Sequence, residues 1–404
     1  MKILHTSDWH LGKRLSGLSR LDEQRDVLNE ICDIADIEHV NLVIISGDLF
    51  DNFNPSVEAN ELFYKTVKTL AKNGERAVIA IAGNHDSPNG IEVSDPLARE
   101  CGIFLFGSPN STSIPFSLYT GLAITKSEPG FIEMRLNGID TPARLLITPY
   151  ANEVRLKKFL GCENPEEELR KILQQRWNQL SEKYCDENGV NLLIAHLFIM
   201  KKGEKPPEEP EDEKPILQIG GAQVIYTENI PYNIQYVAMG HLHRKQMISS
   251  HPCPIIYCGS PIAYSMSEAN QEKYVIIIDA TKGKPISYDS IPLKKGKMLK
   301  RKTFYNIPEA VEWLKENQNT LVEITLATDT YPTSEEQRQL HTVHNGIVAI
   351  IPELKNKEDY ISEKLRKIDL TKSMEELFID YFKYKNGHNP NKNIINLYRE
   401  ILSM

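Results

Sequence analysis

Short apolar runs punctuate the first 280 positions, each closing on a polar cluster. Runs at 1–6, 42–45, 77–82, 145–150, 191–195, 236–239, 255–258 and 274–279 are dominated by small and branched side chains with little alternation, the pattern of strands covered on both faces. Between the first two, Leu21, Leu28, Ile31 and Ile34 keep helical spacing over 21–37, which makes a βαβ unit. Asn54-Pro55 reads as the cap and first-turn proline of a helix reaching about residue 72, where Asn73-Gly74 stops it. A helix-like stretch follows at 93–101, and a charged amphipathic helix at 165–184. Residues 201–215, almost wholly Lys, Glu and Pro, read as a surface loop.

A basic linker at 294–302 introduces a smaller unit in which strands at 304–305, 321–326 and 347–351 alternate with helices at 308–317 and 333–343. A polar tether at 355–370 leads to two closing helices. The first opens with Ser373 and Glu376 at capping-box spacing and lines up Met374, Leu377, Phe378, Tyr381 and Phe382 on one face. The second starts at Asn389-Pro390 and repeats the stripe with Ile394, Leu397, Tyr398, Ile401 and Leu402. The chain therefore divides into 1–280, 281–353 and 354–404.

At 404 residues, more than one core is expected, and the net charge of −8 argues against gripping nucleic acid by bulk positive charge. No apolar run approaches the roughly 18 residues of a membrane span, and the first residues lack a signal-peptide core, so the expected location is cytoplasmic, away from membranes. The six cysteines form no Cys-x-x-Cys pair and read as reduced filler. No Gly-x-x-x-x-Gly-Lys-Ser/Thr loop is present, so ATP binding of that kind is not expected of this chain.

The chemistry collects where the runs end. Ser7-Asp8-Trp9-His10, Ser46-Gly47-Asp48-Leu49-Phe50-Asp51, Gly83-Asn84-His85-Asp86, His196 and Gly240-His241-Leu242-His243 each follow an apolar run, where open α/β sheets carry their sites. Asp8, His10, Asp48, Asn84, His196, His241 and His243 mix carboxylate, amide oxygen and imidazole without thiolate. That set suits two divalent cations, manganese first, with magnesium, iron or zinc as alternatives. In the quartet at 83–86 the carboxylate of Asp86 can orient the imidazole of His85. His5, inside the first strand, reads as structural, and His251, His341, His344 and His388 as surface residues.

These motifs, in this order and approximate spacing, resemble the calcineurin-like metallophosphoesterases over about residues 1–279. Thr6-Ser7-Asp8-Trp9-His10-Leu11-Gly12, Gly47-Asp48-Leu49-Phe50-Asp51 and Gly240-His241-Leu242-His243 are similar to the SbcD family of nuclease subunits, and the smaller unit and terminal helices extend that likeness along the chain. The resemblance implies an α/β metallophosphoesterase sandwich, two packed sheets flanked by helices, with a small α/β cap and a C-terminal helical pair. It implies that Asp8, His10 and His243 hold one metal, that Asn84, His196 and His241 hold the other, and that Asp48 bridges them. His85, unligated, would protonate the leaving oxygen, with Asp86 beside it. Archaeal relatives carry histidine in place of Asp51, which leaves open whether Asp51 places the phosphate or braces its loop.

The activity implied is manganese-dependent cleavage of DNA phosphodiesters, exonucleolytic on double-stranded ends and endonucleolytic on single strands or hairpins, in DNA repair, recombination and replication. The partners implied are DNA, an SbcC-type ATPase gripped by the closing helices through Leu377, Phe378, Tyr381, Leu397, Tyr398 and Leu402, and a second copy of the chain within a heterotetramer. A small-molecule phosphoesterase shares the metal core but needs neither cap nor tethered helices. A non-catalytic scaffold would have lost ligands, and none is missing.

Overall fold

Strands whose side chains are apolar on both faces must be sandwiched, and two such sheets here cover each other. The computed structural model describes residues 1–156, 165–204, 224–328, 331–354, 373–386, 390 and 392–402. In the first sheet, Lys2–Thr6, Leu42–Ile45, Ala77–Ile81 and Ile103–Phe106 run parallel in that order, with Tyr274–Asp279 antiparallel beside Lys2–Thr6 and Ser287–Pro292 at the edge. The second sheet has Ala143–Thr148, Val190–His196, Tyr236–Gly240 and Ile255–Tyr257 parallel at its centre and antiparallel strands on its flanks.

Alternation sorts the side chains. Ile3, Leu42, Ile44, Ile79 and Ile81 face the second sheet and pack with Leu145, Ile147, Leu192, Ile194 and Ala238. Leu4, Val43, Ile45, Val78 and Ala80 face the helices Leu21–Ile37 and Val57–Ala71. The outer face of the second sheet packs on Pro165–Tyr184 through Leu169, Leu173 and Trp177. A buried polar cluster accompanies these side chains: His5 bonds Tyr236 Oη (3.0 Å) and Ser46 Oγ (2.8 Å), and burial pushes its pKa down to about 3. It is structural, as its place inside a strand indicates.

Register matters most for function. Thr6 pairs with Ile45, and Ile45 with Ala80, so three parallel strands end level. Across the sandwich His196 pairs with Gly240, levelling two more ends.

Several expectations shift. The helix expected to start from Asn54-Pro55 is capped by Ser56, whose Oγ accepts from Ala59 N (3.2 Å), because only Ser56 places an acceptor over the first turn. The stretch at 93–101 follows a separate short helix, Pro88–Glu92, and holds only Asp95–Ala98 and a 3₁₀ turn at Arg99–Cys101; Pro96 lacks an N–H and fits only a first turn, so the helix restarts there. Half of the expected basic linker is strand: Met298–Phe304 pairs in parallel with Thr320–Thr328, burying Leu299 and Phe304 while its lysines reach solvent. Strand Ser287–Pro292 lies past residue 280, yet it is bonded to Tyr274–Asp279, so the first sheet continues to Pro292.

In the smaller unit, three parallel strands, Met298–Phe304, Thr320–Thr328 and Ile347–Leu354, carry Ile307–Glu316 and Ser334–Val343 over a core of Phe304, Leu314, Val322, Ile324 and Leu340. His344 is not a surface residue. It is buried, donating from Nε2 to Asn317 O (3.0 Å) and accepting at Nδ1 from Gly346 N (3.0 Å). A seam of Leu15, Ala263, Met266, Leu299 and Leu321 joins this unit to the larger one.

The closing helices are Met374–Asn386 and Lys392–Leu402, the first capped reciprocally by Ser373 and Glu376 as expected. Phe378 stacks on Tyr398 (centroids 4.1 Å apart), Tyr398 Oη donates to Met374 O (2.9 Å), and Arg399 pairs with Glu375. Tyr381, Leu397 and Leu402 stay exposed. The surface loop expected at 201–215, apart from its first four residues, and the tether at 355–370 lie outside the described residues. No helix among the described residues is long and apolar enough to cross a membrane.

Candidate metal centre

Level strand ends bring five loops to one place. Two are zipped together by backbone bonds, Asp8 N to Gly47 O (2.9 Å), His10 N to Asp48 O (2.9 Å) and Leu11 N to Leu49 O (3.0 Å). Asp8, His10, Asp48 and His241 all take positive φ, a strained backbone for residues with a Cβ. Close approach needs glycine: a Cβ on Gly83 would stand 2.0 Å from Asp48 Oδ1, and one on Gly240 1.8 Å from Ser46 O.

Six of the seven candidate ligands converge in two buried groups, Asp8 with His10 and His243, and Asp48 with His196 and His241, the ligating atoms of each lying within 4.8 Å of one another. His10 Nε2 and His243 Nε2 face each other at 2.9 Å. The seventh, Asn84, joins the second group, its Oδ1 lying 3.0 Å from both His196 Nε2 and His241 Nδ1. Asp48 stands between the groups: Oδ1 accepts from His85 N (2.9 Å), while Oδ2 is 3.5 Å from His10 Nε2 and 3.4 Å from His196 Nε2. Asp8 accepts from Ser7 Oγ and from His241 N.

The electrostatics show a cage built for cations. Burial pushes His10 well below its ordinary range and His241 down to about 3, leaving neutral imidazoles with lone pairs to give. Burial also raises Asp8 to about 6. Burial opposes ionisation of Asp48 too, but the charged imidazole of His196 beside it prevails and holds it well below the carboxylate range. His196 gives its Nδ1 hydrogen to Ser46 O (2.9 Å), and against burial the charge of Asp48 raises it to about 9. A proton on Nε2 thus does electrostatically what a bound cation would do, and binding would displace it. The donor set fits divalent metal, and no thiol joins a metal-binding group among the described residues.

His85, half-buried, packs its ring edge-on to His10 (4.8 Å) and is oriented by Asp51 O, which accepts from Nδ1 (2.8 Å). Asp86 does not orient it. Its carboxylate accepts from Gly83 N (2.8 Å), Leu49 N (3.0 Å) and Phe50 N (2.9 Å), stitching two ligand loops together, so Asp86 is a positioning residue. The closing-helix residues Leu377, Phe378, Tyr381, Leu397, Tyr398 and Leu402 belong to the hairpin described above.

Sequence reasoning missed Arg155, whose guanidinium donates to the carbonyls of Gly83 (2.7 Å), Asn84 (3.3 Å) and Asp86 (2.9 Å) while lying over the Tyr150 ring. It also missed Gln24, which holds the carbonyls of Trp9 and His10. Neither carries a motif; an arginine or glutamine on a helix signals nothing until the fold brings a loop beneath it.

The calcineurin-like phosphoesterase family matches residues 1–245. The chain is 32% identical over 413 aligned residues to the SbcD subunit of the SbcCD nuclease of Bacillus subtilis, covering 100% of this chain and 98% of the relative. The SbcD subunits of Staphylococcus epidermidis (30% identity, 73% of this chain and 70% of the relative) and Escherichia coli K12 (26% identity, 88% and 83%) also match.

Proposed function

Since the chain belongs to the calcineurin-like phosphoesterases and, along its whole length, to the SbcD nuclease family, a family of metal-dependent nucleases, we propose that it cleaves DNA phosphodiesters at a manganese pair. It acts as an exonuclease on duplex ends and an endonuclease on single strands and hairpins, in the cytoplasm, as part of DNA repair and recombination. The observation that carries the reading is Asp48 Oδ2 placed between two clusters of imidazole and oxygen donors.

Asp8, His10 and His243 would hold one ion, Asn84, His196 and His241 the other, and Asp48 both. Two such ions, when bound, activate a water and neutralise the phosphoryl oxygens of an in-line displacement. His85 gives its Nε2 proton to the leaving oxygen, its other nitrogen being committed to Asp51 O. Asp86 and Arg155 keep the 83–86 loop in register with Asp48 while this happens.

Residues 1–280 with the edge strand Ser287–Pro292 form the nuclease unit, the rest of 281–353 the cap, and 354–404 the element that grips an SbcC-type ATPase, with a second copy completing a heterotetramer. The exposed apolar residues Tyr381, Leu397 and Leu402 support a covered face on the hairpin. The test is a manganese-dependent assay on linear duplex, hairpin and single-stranded DNA beside a generic phosphodiester and cyclic nucleotides, with and without the ATPase. DNA cleavage is expected; turnover of small esters alone would make the chain a small-molecule phosphoesterase.

A further inference from the structure

The two imidazoles of the first group meet through Nε2, so each turns Nδ1 away from the centre. An imidazole that lends one nitrogen to a cation carries its hydrogen on the other. The Nδ1 of His10 is buried without a hydrogen-bond partner, and Asp51 Oδ1 faces it at 3.9 Å. Across the group, Glu268 Oε1 stands 4.0 Å from His243 Nδ1. The second group is built otherwise: His196 Nδ1 donates to a backbone carbonyl, and His241 turns Nδ1 inward to Asn84.

We infer that Asp51 and Glu268 are positioning residues that back the two imidazoles of the first metal site with carboxylates, where the second site backs His196 with a backbone carbonyl; the inference rests on the metal-centre reading above. A carboxylate behind a metal-bound imidazole fixes its tautomer and orientation and raises its basicity. Asp51 is half-exposed, and a side-chain movement of about 1 Å brings its oxygen into hydrogen-bond range of His10. Its backbone oxygen orients His85 at the same time, so one residue sets both a ligand and the proton donor. Glu268 is fixed by the N–H groups of Tyr264 (2.8 Å) and Ser265 (3.1 Å) and by an ion pair with Lys273. Lys273 also donates to His243 O (3.0 Å), so that ligand is steadied at its ring and at its backbone.

The test is manganese titration of the full-length protein by calorimetry, with the metal-free melting temperature followed in parallel. The wild type should bind two ions. Asp51→Asn should weaken one of them by about 10 to 100-fold, leave the other unchanged, and leave the metal-free melting temperature where it was. Lys13→Met, which removes the other charge near Asp51 (3.8 Å), should change neither affinity. Glu268→Gln should weaken the same ion as Asp51→Asn; since it strands the charge of Lys273, it is read beside Glu268→Gln/Lys273→Met. If Asp51→Asn binds both ions as tightly as the wild type, or weakens both equally while lowering the metal-free melting temperature, the inference fails although the metal centre stands. A wild-type protein that binds no manganese overturns the metal-centre reading itself.

Discussion

The cage at the strand ends and the hairpin at the C-terminus are held by opposite means. In the cage, His10 meets His243 and Asp8 meets His241 across 233 positions each, and His196 reaches Ser46 across 150. In the hairpin, Glu375 meets Arg399 across 24 positions, and Tyr398 bonds Met374 over the same span. Distant contacts form only when both sheets are in place, so an intact cage reports on the whole fold. The hairpin needs only its own neighbours and leaves apolar side chains facing outward. A catalytic centre gains from being over-determined, and a docking element from being separable.

The largest break in this comparison is Asp48→Asn. Loss of the shared anion should remove both metals and abolish cleavage, with metal analysis and nuclease assay falling together. His85→Ala comes next, with turnover down by about 100 to 10,000-fold while two metals remain bound; loss of a metal would make His85 a ligand. Gly83→Ala puts a Cβ 2.0 Å from Asp48 Oδ1, and displacing that carboxylate by about 1 Å should cost about 100-fold in turnover. At the small end, deleting residues 373–404 should leave metal content, melting temperature and manganese-dependent cleavage unchanged while abolishing co-purification with an SbcC-type ATPase. A truncated chain that unfolds would erase the distinction between the two regions.

The hairpin prediction can be sharpened because its apolar residues are of two kinds. Replacing Phe378 and Tyr398 with Glu breaks the internal stack, whereas Tyr381→Glu with Leu397→Glu alters only the exposed face. If the outer pair releases the ATPase while helicity by circular dichroism holds, the exposed face is the contact.

The same contrast explains what the sequence disclosed. The convergence of Asp8, Asp48, Asn84, His196, His241 and His243 was legible because each follows an apolar run at a parallel strand end, and strand ends converge whatever the loops do. The buried strands followed from those runs, the sandwich from the resemblance that the motifs carry, and the two closing helices from their stripes and the Ser373/Glu376 cap. What stayed hidden was set by partners distant in sequence. Asp86 looked like a neighbour of His85, but its carboxylate turns to the backbone of Leu49 and Phe50. His344 looked exposed because nothing local shows that Asn317, 27 positions away, closes over it. The basic stretch at 294–302 read as a linker because a strand burying only Leu299 and Phe304 within seven residues has almost no periodicity to detect.

The level ending of Lys2–Thr6, Leu42–Ile45 and Ala77–Ile81 also decides where this chain tolerates a change in length. Deleting one residue within any of these strands would slide its ligand by about 3.3 Å and turn every side chain before it to the opposite face. Insertions in the connecting loops on the opposite rim, such as the one after Ile37 that carries His39, would leave the ligands where they are. The strands work as gauge blocks that set the spacing of the candidate ligands, and around this sheet changes of length are tolerated on the rim those blocks do not measure.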